Sequence, residues 1–145
     1  MKTRKLTAIL LALCMLLSLS ISAFAADDAV VSGTIPDSKI TWELDGKGWL
    51  TISGSGAMND YEYGDYPWMD YRNSIQTIVI GDQITQIGRY AFTGTACSTI
   101  KFGKNVRSIG ERAFNGCRNL NGDLTLPDSV QIVGNNAFSE CTGLT

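Results

Sequence analysis

The amino-acid sequence predicts a mainly β solenoid of short parallel strands, with loops or short helices on the convex side, preceded by an N-terminal β-hairpin cap. One pattern, V/I-x-x-I/V-G-x-x-A-F, occurs three times, beginning at Ile84, Val106 and Val130. Its glycine recurs after 22 and then 24 residues. Such a period is typical of solenoids, because one repeat cannot bury its own apolar face and neighbours must stack. Before the repeats, two alternating segments flank Asp45–Gly48, which indicates the hairpin.

Residues 1–25 have the features of a cleavable secretory signal peptide. Basic residues precede an apolar run from Leu6 to Ile21, and Ala23-Phe24-Ala25 supplies an A-x-A cleavage site. The alternative is an uncleaved anchor, but the run is shorter than the ~20 residues that a span needs. A lipid-modified Cys14 is disfavoured because Leu13 precedes it. We therefore expect a secreted or cell-surface protein that is not inserted in the membrane after cleavage.

The charge balance excludes two classes of partner. Three of the 12 basic residues lie in the signal peptide, which leaves nine against 14 acidic residues in the remaining chain. This balance provides no electrostatic footprint for nucleic acid or for an anionic membrane surface. The length that remains after cleavage fits one domain with a continuous core.

The segment 26–73 lacks the repeat pattern, and we assign it as a cap that precedes the repeats at 74–145. After an extended lead-in to Lys39, Ile40–Leu44 and Trp49–Ser53 alternate apolar and polar residues on either side of the turn. The end of a solenoid exposes an apolar cross-section. We therefore expect Trp42 and Trp49 to cover the first repeat.

An apolar pair precedes the pattern in each repeat and predicts a short strand. Alternation places these pairs on the inner face and Val79, Lys101 and Thr125 on the outer face. In the third repeat, the segment from Leu120 to Leu126 is one residue longer than the corresponding segments of the first two repeats. The pairs are Ile78 and Ile80, Ile100 and Phe102, and Leu124 and Leu126.

Three positions of the pattern have predictable packing roles. The glycine lets the backbone bend without a Cβ clash, and the alanine is small where the chain passes close to its neighbour. The phenylalanines are expected to form a buried ladder. They are Phe92, Phe114 and Phe138.

The three cysteines that follow the signal peptide lie in the repeats. Cys117 and Cys141 each follow the repeat phenylalanine by three residues, and Cys97 occupies an apolar strand position. Burial as small hydrophobic residues is the plainer interpretation. The alternative is a Cys117–Cys141 disulfide, since adjacent turns lie about 4.8 Å apart, provided that the side chains face each other. Zinc is disfavoured because the chain has no C-x-x-C pair and no histidine.

The repeats are similar to a known family. Residues 106–120, VRSIGERAFNGCRNL, and residues 126–130, LPDSV, resemble the BspA-type bacterial leucine-rich repeats, with the hallmark I-x-L-P-x-S-V-x-x-I-G-x-x-A-F-x-x-C-x-x-L. The leader 40–68 resembles the segment that often precedes such repeats in secreted proteins. Thr95 stands where the hallmark has cysteine, and Gly81 and Gly103 stand where it has proline. The resemblance implies an exported, non-catalytic protein-binding or adhesion module.

No catalytic or cofactor-binding constellation is present in the sequence. The absence of histidine excludes Ser/His/Asp and Cys/His nucleophile pairs, and residues 53–59 match neither G-x-S-x-G nor G-x-G-x-x-G. Four acidic residues between 60 and 70 could form a carboxylate pair or bind calcium, but their spacing does not match an EF-hand. We interpret them as a solvated loop, and we expect no enzyme activity, metal or cofactor.

Two candidate ligand sites follow, for a protein or a glycan on a host or bacterial surface. The first is the concave face of the strands, which has no dominant charge: Gln76, Thr77, Val79, Ser98, Thr99, Lys101 and Thr125. The alternative is a glycan-stacking platform in the aromatic loop 59–72, formed by Tyr61, Tyr63, Tyr66 and Trp68. Against this, some of these rings are expected to cover the first turn of the solenoid instead.

The final residues predict an open end. Leu144 follows Phe138 by six residues, as Leu120 follows Phe114, so a fourth turn begins there. With a cap at one end only, we expect the last turn to fray, to continue into further repeats or to pair end to end with another chain.

Overall fold

The computed structural model describes residues 30–145, so the predicted signal peptide lies outside the described residues. The chain begins with an antiparallel meander of β1 (Val31–Thr34), β2 (Lys39–Leu44) and β3 (Trp49–Ala57). The predicted hairpin is confirmed as β2 and β3, with Leu44 opposite Leu50. The lead-in was expected to be merely extended, but it contributes β1, which pairs with β2 along four residues.

Strand β3 joins the cap to the solenoid. One edge of β3 pairs antiparallel with β2, and the other pairs in parallel with β4 (Thr77–Ile80). Strand β4 in turn pairs in parallel with β6 (Thr99–Lys101). The cap and the first two repeats therefore share one continuous sheet, which we call the first sheet, with the strand order β1-β2-β3-β4-β6.

A second parallel ladder lines another wall of the coils. It contains β5 (Ile84–Ile87), β7 (Ser108–Ile109) and β9 (Ile132–Val133), and the end of β3 starts it by pairing with β5. The V/I-x-x-I/V segments therefore form strands. Within residues 30–145 the structure has a single helical element, the 3-10 turn Met69–Tyr71, which precedes the repeats. Of the loops or short helices predicted for the convex side, no helix forms within the repeats at 74–145, where strands and turns occur instead.

The third repeat departs from the predicted strand pattern. No strand forms around Leu124 and Leu126; instead β8 (Asn121–Gly122) pairs in parallel with β10 (Gly143–Leu144). The extra length lies beside Gly122, whose φ of 75° turns the chain out of the ladder. Leu124 and Leu126 remain only partly buried against the core.

The phenylalanine ladder is present and is one ring longer than predicted. Trp68, Phe92, Phe114 and Phe138 stack with successive centroid distances of 5.2, 5.1 and 5.3 Å. Phe92 and Phe114 are fully buried, whereas Phe138 in the last of these coils is only partly buried. Trp68 therefore continues the repeat ladder into the cap.

The repeat glycines are required for close contact between coils. A Cβ on Gly110 would lie 2.5 Å from the Arg89 backbone nitrogen, and one on Gly134 equally close to that of Glu111. Neither glycine has a positive φ. The prediction that a Cβ would clash is confirmed, but the clash arises from the neighbouring coil and not from a bend.

Side chains of the aromatic loop donate hydrogen bonds to the first repeat that are equivalent to the backbone hydrogen bonds between repeats. In the repeats, the backbone N–H of Phe92 donates to the Ala113 carbonyl at 2.7 Å. One coil earlier, the Trp68 indole Nε1–H donates to the Ala91 carbonyl at 2.9 Å. The Tyr66 hydroxyl likewise donates to the Thr93 carbonyl at 2.6 Å. Two side chains thus satisfy carbonyls that a preceding coil would otherwise bind.

Candidate ligand-binding face

The outer side of the first sheet is its solvent-facing surface. Leu50 and Ile52 point into the core, so Trp49 and Thr51 on the same strand point outward. The register places Trp49 beside Thr77 and Thr51 beside Val79, and β6 continues these rows. The outer face therefore carries aligned rows of small polar side chains around one exposed tryptophan.

Trp49 forms the centre of this face with Lys101. The Lys101 Nζ lies 4.3 Å from the centroid of the Trp49 ring, which is 41% exposed. This geometry is a cation–π contact, which holds both side chains on the surface. The prediction that Trp49 caps the first repeat is wrong. Trp42 is buried and packs edge-on against Trp68 at 6.0 Å, and Trp68 in turn stacks on Phe92 of the first repeat.

Most of the predicted face residues lie together. Thr99 and Lys101 are exposed on β6, Val79 is half-buried on β4, and Thr77 is 9% exposed between Trp49 and Thr99 in the register. Thr125 is exposed but lies outside any strand, because the third repeat leaves the ladder.

Gln76 and Ser98 lie where β4 and β6 begin. The Ser98 backbone N–H donates to the Gln76 carbonyl at 2.8 Å, and the Gln76 N–H donates to Gly48 at 2.7 Å. The two residues are therefore fixed at the rim of the face.

Depressions flank the Trp49–Lys101 pair. One of about 550 Å³ is formed by the cap strands, with Thr34, Thr41, Glu43, Thr51 and Ser53 among its lining residues. Another of about 210 Å³ includes three predicted face residues, Ser98, Thr99 and Thr125. The cap thus forms a depression on the same side of the sheet as the predicted face residues.

The charges on this face are mixed. Lys39 and Glu43 of β2 pair with Ser55 and Thr51 of β3, so these two charges share the outer side with Lys101. A balanced, hydroxyl-rich face with one tryptophan favours a protein ligand over a strongly charged polymer.

The glycan-stacking platform is not formed as predicted. Trp68 is fully buried, and Tyr66 and Tyr61 are only 4% and 9% exposed, because their rings cover the first coil. Burial raises the pKa of both tyrosines to about 12. Tyr63 alone of the four remains available to a ligand, with 74% of its surface exposed.

The acidic residues of the loop attach it to the solenoid. The Asp60 carboxylate accepts a hydrogen bond from the Arg89 backbone N–H at 2.8 Å, and Glu62 forms a 2.6 Å ion pair with the Arg89 guanidinium. Asp65 and Asp70 are exposed. Among the described residues, no group of three or more His, Cys, Asp or Glu side chains is arranged to hold a metal ion.

The three cysteines are buried free thiols. The prediction that they are buried as small hydrophobic residues is confirmed, and no Cys117–Cys141 disulfide is formed. Each of these two thiols donates to a carbonyl of the preceding coil, Cys117 to Phe92 at 3.3 Å and Cys141 to Phe114 at 3.1 Å. Thr95 occupies the equivalent position in the first repeat and contacts the Cys117 sulfur at 3.3 Å.

The pKa values of Cys117 and Cys141 are raised, which keeps these two thiols neutral, whereas a hydrogen bond with Cys117 lowers the pKa of Cys97. A hydrogen bond with Cys141 lowers the pKa of Cys117, but the hydrogen bond with Cys97 and burial raise it further, to about 12. The thiolate, not the thiol, is the nucleophile, so a Cys117 nucleophile is disfavoured.

Coils of 22 and 24 residues joined by parallel ladders define a leucine-rich repeat protein. The model of the BspA type leucine rich repeat region matches residues 65–145, and the chain belongs to this family. Such repeats form interaction modules that are typically non-catalytic, and BspA-type repeats are typically secreted or displayed on bacterial surfaces. Within residues 30–145 no helix is long and apolar enough to cross a membrane.

A solved structure of another bacterial protein shows the same architecture. A leucine-rich repeat protein from Eubacterium ventriosum is 27% identical, with a TM-score of 0.67 over 77% of this chain and 36% of its own. The chain thus spans little more than a third of that protein. The T. pallidum leucine-rich repeat protein is 19% identical, with a TM-score of 0.40 over 78% of this chain and 70% of its own. No curated protein matches the sequence significantly.

Proposed function

We propose that the chain is an exported adhesion module that binds a protein on a host or bacterial surface through the outer face of its first sheet. The observation that carries this proposal is Trp49, an exposed tryptophan held by Lys101 among rows of small polar side chains. Tryptophan is among the residues that dominate binding energy at protein interfaces, where they sit centrally and are ringed by weaker contacts. Trp49 has this arrangement between its two flanking depressions.

Export and domain organisation belong to the same proposal. Residues 1–25 would direct secretion, 26–73 would form the cap, and 74–145 would form the repeats. The outer face spans the boundary between the last two segments, because β3 pairs directly with β4. The cap in this view serves both as a lid on the core and as half of the binding face.

Self-association through the last described coil is a further part of the proposal. Ile132 and Val133 of β9 are 62% and 48% exposed, and among residues 30–145 β9 pairs only with β7. An exposed apolar edge strand is a template for pairing with another chain.

The binding proposal is tested with immobilised extracts of host extracellular matrix and of bacterial surfaces. We expect Trp49→Ala with Lys101→Ala to lower affinity for the captured component about 30-fold, equivalent to about 2 kcal/mol. Tyr63→Ala, which removes an exposed aromatic ring elsewhere, is the matched control and should bind the captured protein like the parent once its glycans have been removed. Protease treatment of the extract should abolish binding. Equal binding by parent and double variant would exclude this face.

A further inference from the structure

A second groove lies across the turns of the coils, away from the residues assigned to the outer face. Its volume is about 570 Å³. The lining residues are polar or aromatic and come from the aromatic loop and all three repeats: Tyr63, Tyr90, Arg112, Asn115, Asn136, Ser139 and Glu140. None of them belongs to the predicted concave face.

An unusual backbone conformation defines the groove. Tyr90, Arg112 and Asn136 occupy the same repeat position, two residues after the glycine, and all three have left-handed φ angles, of 56°, 53° and 57°. Glycine and asparagine adopt this region readily, whereas tyrosine and arginine do so rarely. Bulky side chains at strained positions are a sign of function. At this position Tyr90 and Arg112 both line the groove.

Tyr90 and Arg112 form a fixed polar platform. The Arg112 Nη1–H donates to the Tyr90 hydroxyl at 2.6 Å, and the guanidinium carbon lies 5.8 Å from the centre of the Tyr90 ring. Tyr63 meets Tyr90 edge-on at 6.1 Å. The Tyr63 ring is 74% exposed, so it presents an apolar surface beside groups that can donate and accept hydrogen bonds.

The charges in the groove are internally balanced. Arg112 lies 4.0 Å from Glu111, and Glu140 forms a 3.2 Å ion pair with Arg118. The remaining polar groups are the amides of Asn115 and Asn136 and the hydroxyl of Ser139. Such a groove suits an uncharged ligand that has many hydroxyl groups and one apolar side.

We propose that this groove binds a neutral oligosaccharide. Tyr63 would pack against the apolar C–H face of one sugar ring, and Arg112, Asn136 and Glu140 would exchange hydrogen bonds with its hydroxyls. The volume falls within the usual range for small-molecule sites. This inference is independent of the proposed protein-binding face, with which it shares no residue.

The test measures binding of the full chain to an array of neutral and anionic oligosaccharides, followed by calorimetry on the strongest neutral one. We expect at least tenfold weaker binding for Tyr63→Ala, near-parent binding for Tyr63→Phe, which keeps the ring, and weaker binding for Arg112→Gln. Trp49→Ala should leave glycan binding unchanged. A melting curve for each variant separates lost contacts from lost folding.

Three results would overturn the inference: no neutral oligosaccharide bound by the parent, equal binding by Tyr63→Ala, or loss of glycan binding in Trp49→Ala. The third would move glycan binding to the first sheet. Failure of the protein-binding proposal shows instead as unchanged extract binding in the Trp49 and Lys101 double variant, so the two failures are distinguishable.

Discussion

Trp68 stacks on Phe92 with their rings 19° from parallel and their centroids 5.2 Å apart. The same tryptophan donates its indole N–H to Ala91. One side chain therefore supplies both the ring and the hydrogen bond that the preceding coil of a longer solenoid would provide.

Trp68→Ala should destabilise the protein by about 3 to 5 kcal/mol, because it leaves a cavity against Phe92 and an unpaired Ala91 carbonyl. Trp68→Phe keeps a ring in the stack but loses the indole donor, and should cost about 1 to 3 kcal/mol from the unsatisfied carbonyl alone. Urea unfolding measures both. Tyr63→Ala, at an exposed ring, is the control and should change stability by no more than about 0.5 kcal/mol. A Trp68→Ala variant as stable as this control would show that the cap is dispensable.

The close contact between coils at the repeat glycines leads to a second prediction. Gly110→Ala would place a Cβ 2.5 Å from the Arg89 nitrogen, and since backbone cannot move aside cheaply, the loss of stability should reach about 3 kcal/mol, the upper end of the usual cost of overpacking. Gly122→Ala is the matched comparison. Gly122 has open space around it but a φ of 75°, so only the backbone strain of about 1 to 2 kcal/mol is expected. Thermal melting that ranks the two variants in the opposite order would contradict the close-contact role.

The features of this fold that could be predicted from the sequence are those that follow from the spacing of apolar residues. The repeat period locates the coils and the phenylalanine ladder, because apolar residues at fixed spacing must stack. The second parallel ladder was missed because Ile84 and Ile87 are three positions apart, whereas strands are identified by a period of two. Both residues are nevertheless fully buried at the two ends of β5.

The candidate site was predictable in part. Alternation identified Thr99 and Lys101 as outward residues, and it also implied that Trp49 faces outward, because Leu50 and Ile52 must face in. The expectation that tryptophans cap solenoid ends outweighed that signal. The groove around Tyr90 and Arg112 left no such signal, because residue spacing does not encode a left-handed φ angle.

Loss of the hydroxyl group from two buried tyrosines should have different effects on the stability of the protein. The Tyr66 hydroxyl donates to the Thr93 carbonyl at 2.6 Å, so Tyr66→Phe leaves that carbonyl unpaired and should cost about 1 to 3 kcal/mol. The buried Tyr61 hydroxyl has no hydrogen-bond partner within the part of the chain that the structure describes, so Tyr61→Phe should be neutral or slightly stabilising. Chemical denaturation of the two single variants checks this. Equal destabilisation would mean that Tyr61 has a partner in solution.

The same tyrosines predict a loss of stability at alkaline pH. Their pKa is raised from 10.0 to about 12 in the folded state by burial. The neutral form is therefore favoured by folding, and the contribution is complete below pH 10 and is lost as the pH rises through 12. A shift of this size corresponds to at most about 2 to 3 kcal/mol per tyrosine.

The measurement is the difference in unfolding free energy between parent and the Tyr61→Phe, Tyr66→Phe double variant, from pH 9 to 12.5. Taking the difference removes the titration of lysines, which both proteins share. We expect the parent to lose stability relative to the double variant across this range. A difference that is independent of pH would show that the two phenols titrate normally in the folded protein.

The exposed edge of β9 makes the last prediction. Ile132 and Val133 are exposed on a strand that has one unpaired edge within residues 30–145, and apolar edge strands pair unless a charge blocks them. The parent should therefore self-associate with rising concentration in sedimentation velocity. Ile132→Lys should reduce this association, because pairing would bury an uncompensated ammonium group. Thr99→Lys, on the edge of β6, is the matched control and should leave association unchanged. A parent that stays monomeric at all concentrations, or a Thr99→Lys variant that dissociates equally, would remove β9 as the pairing edge.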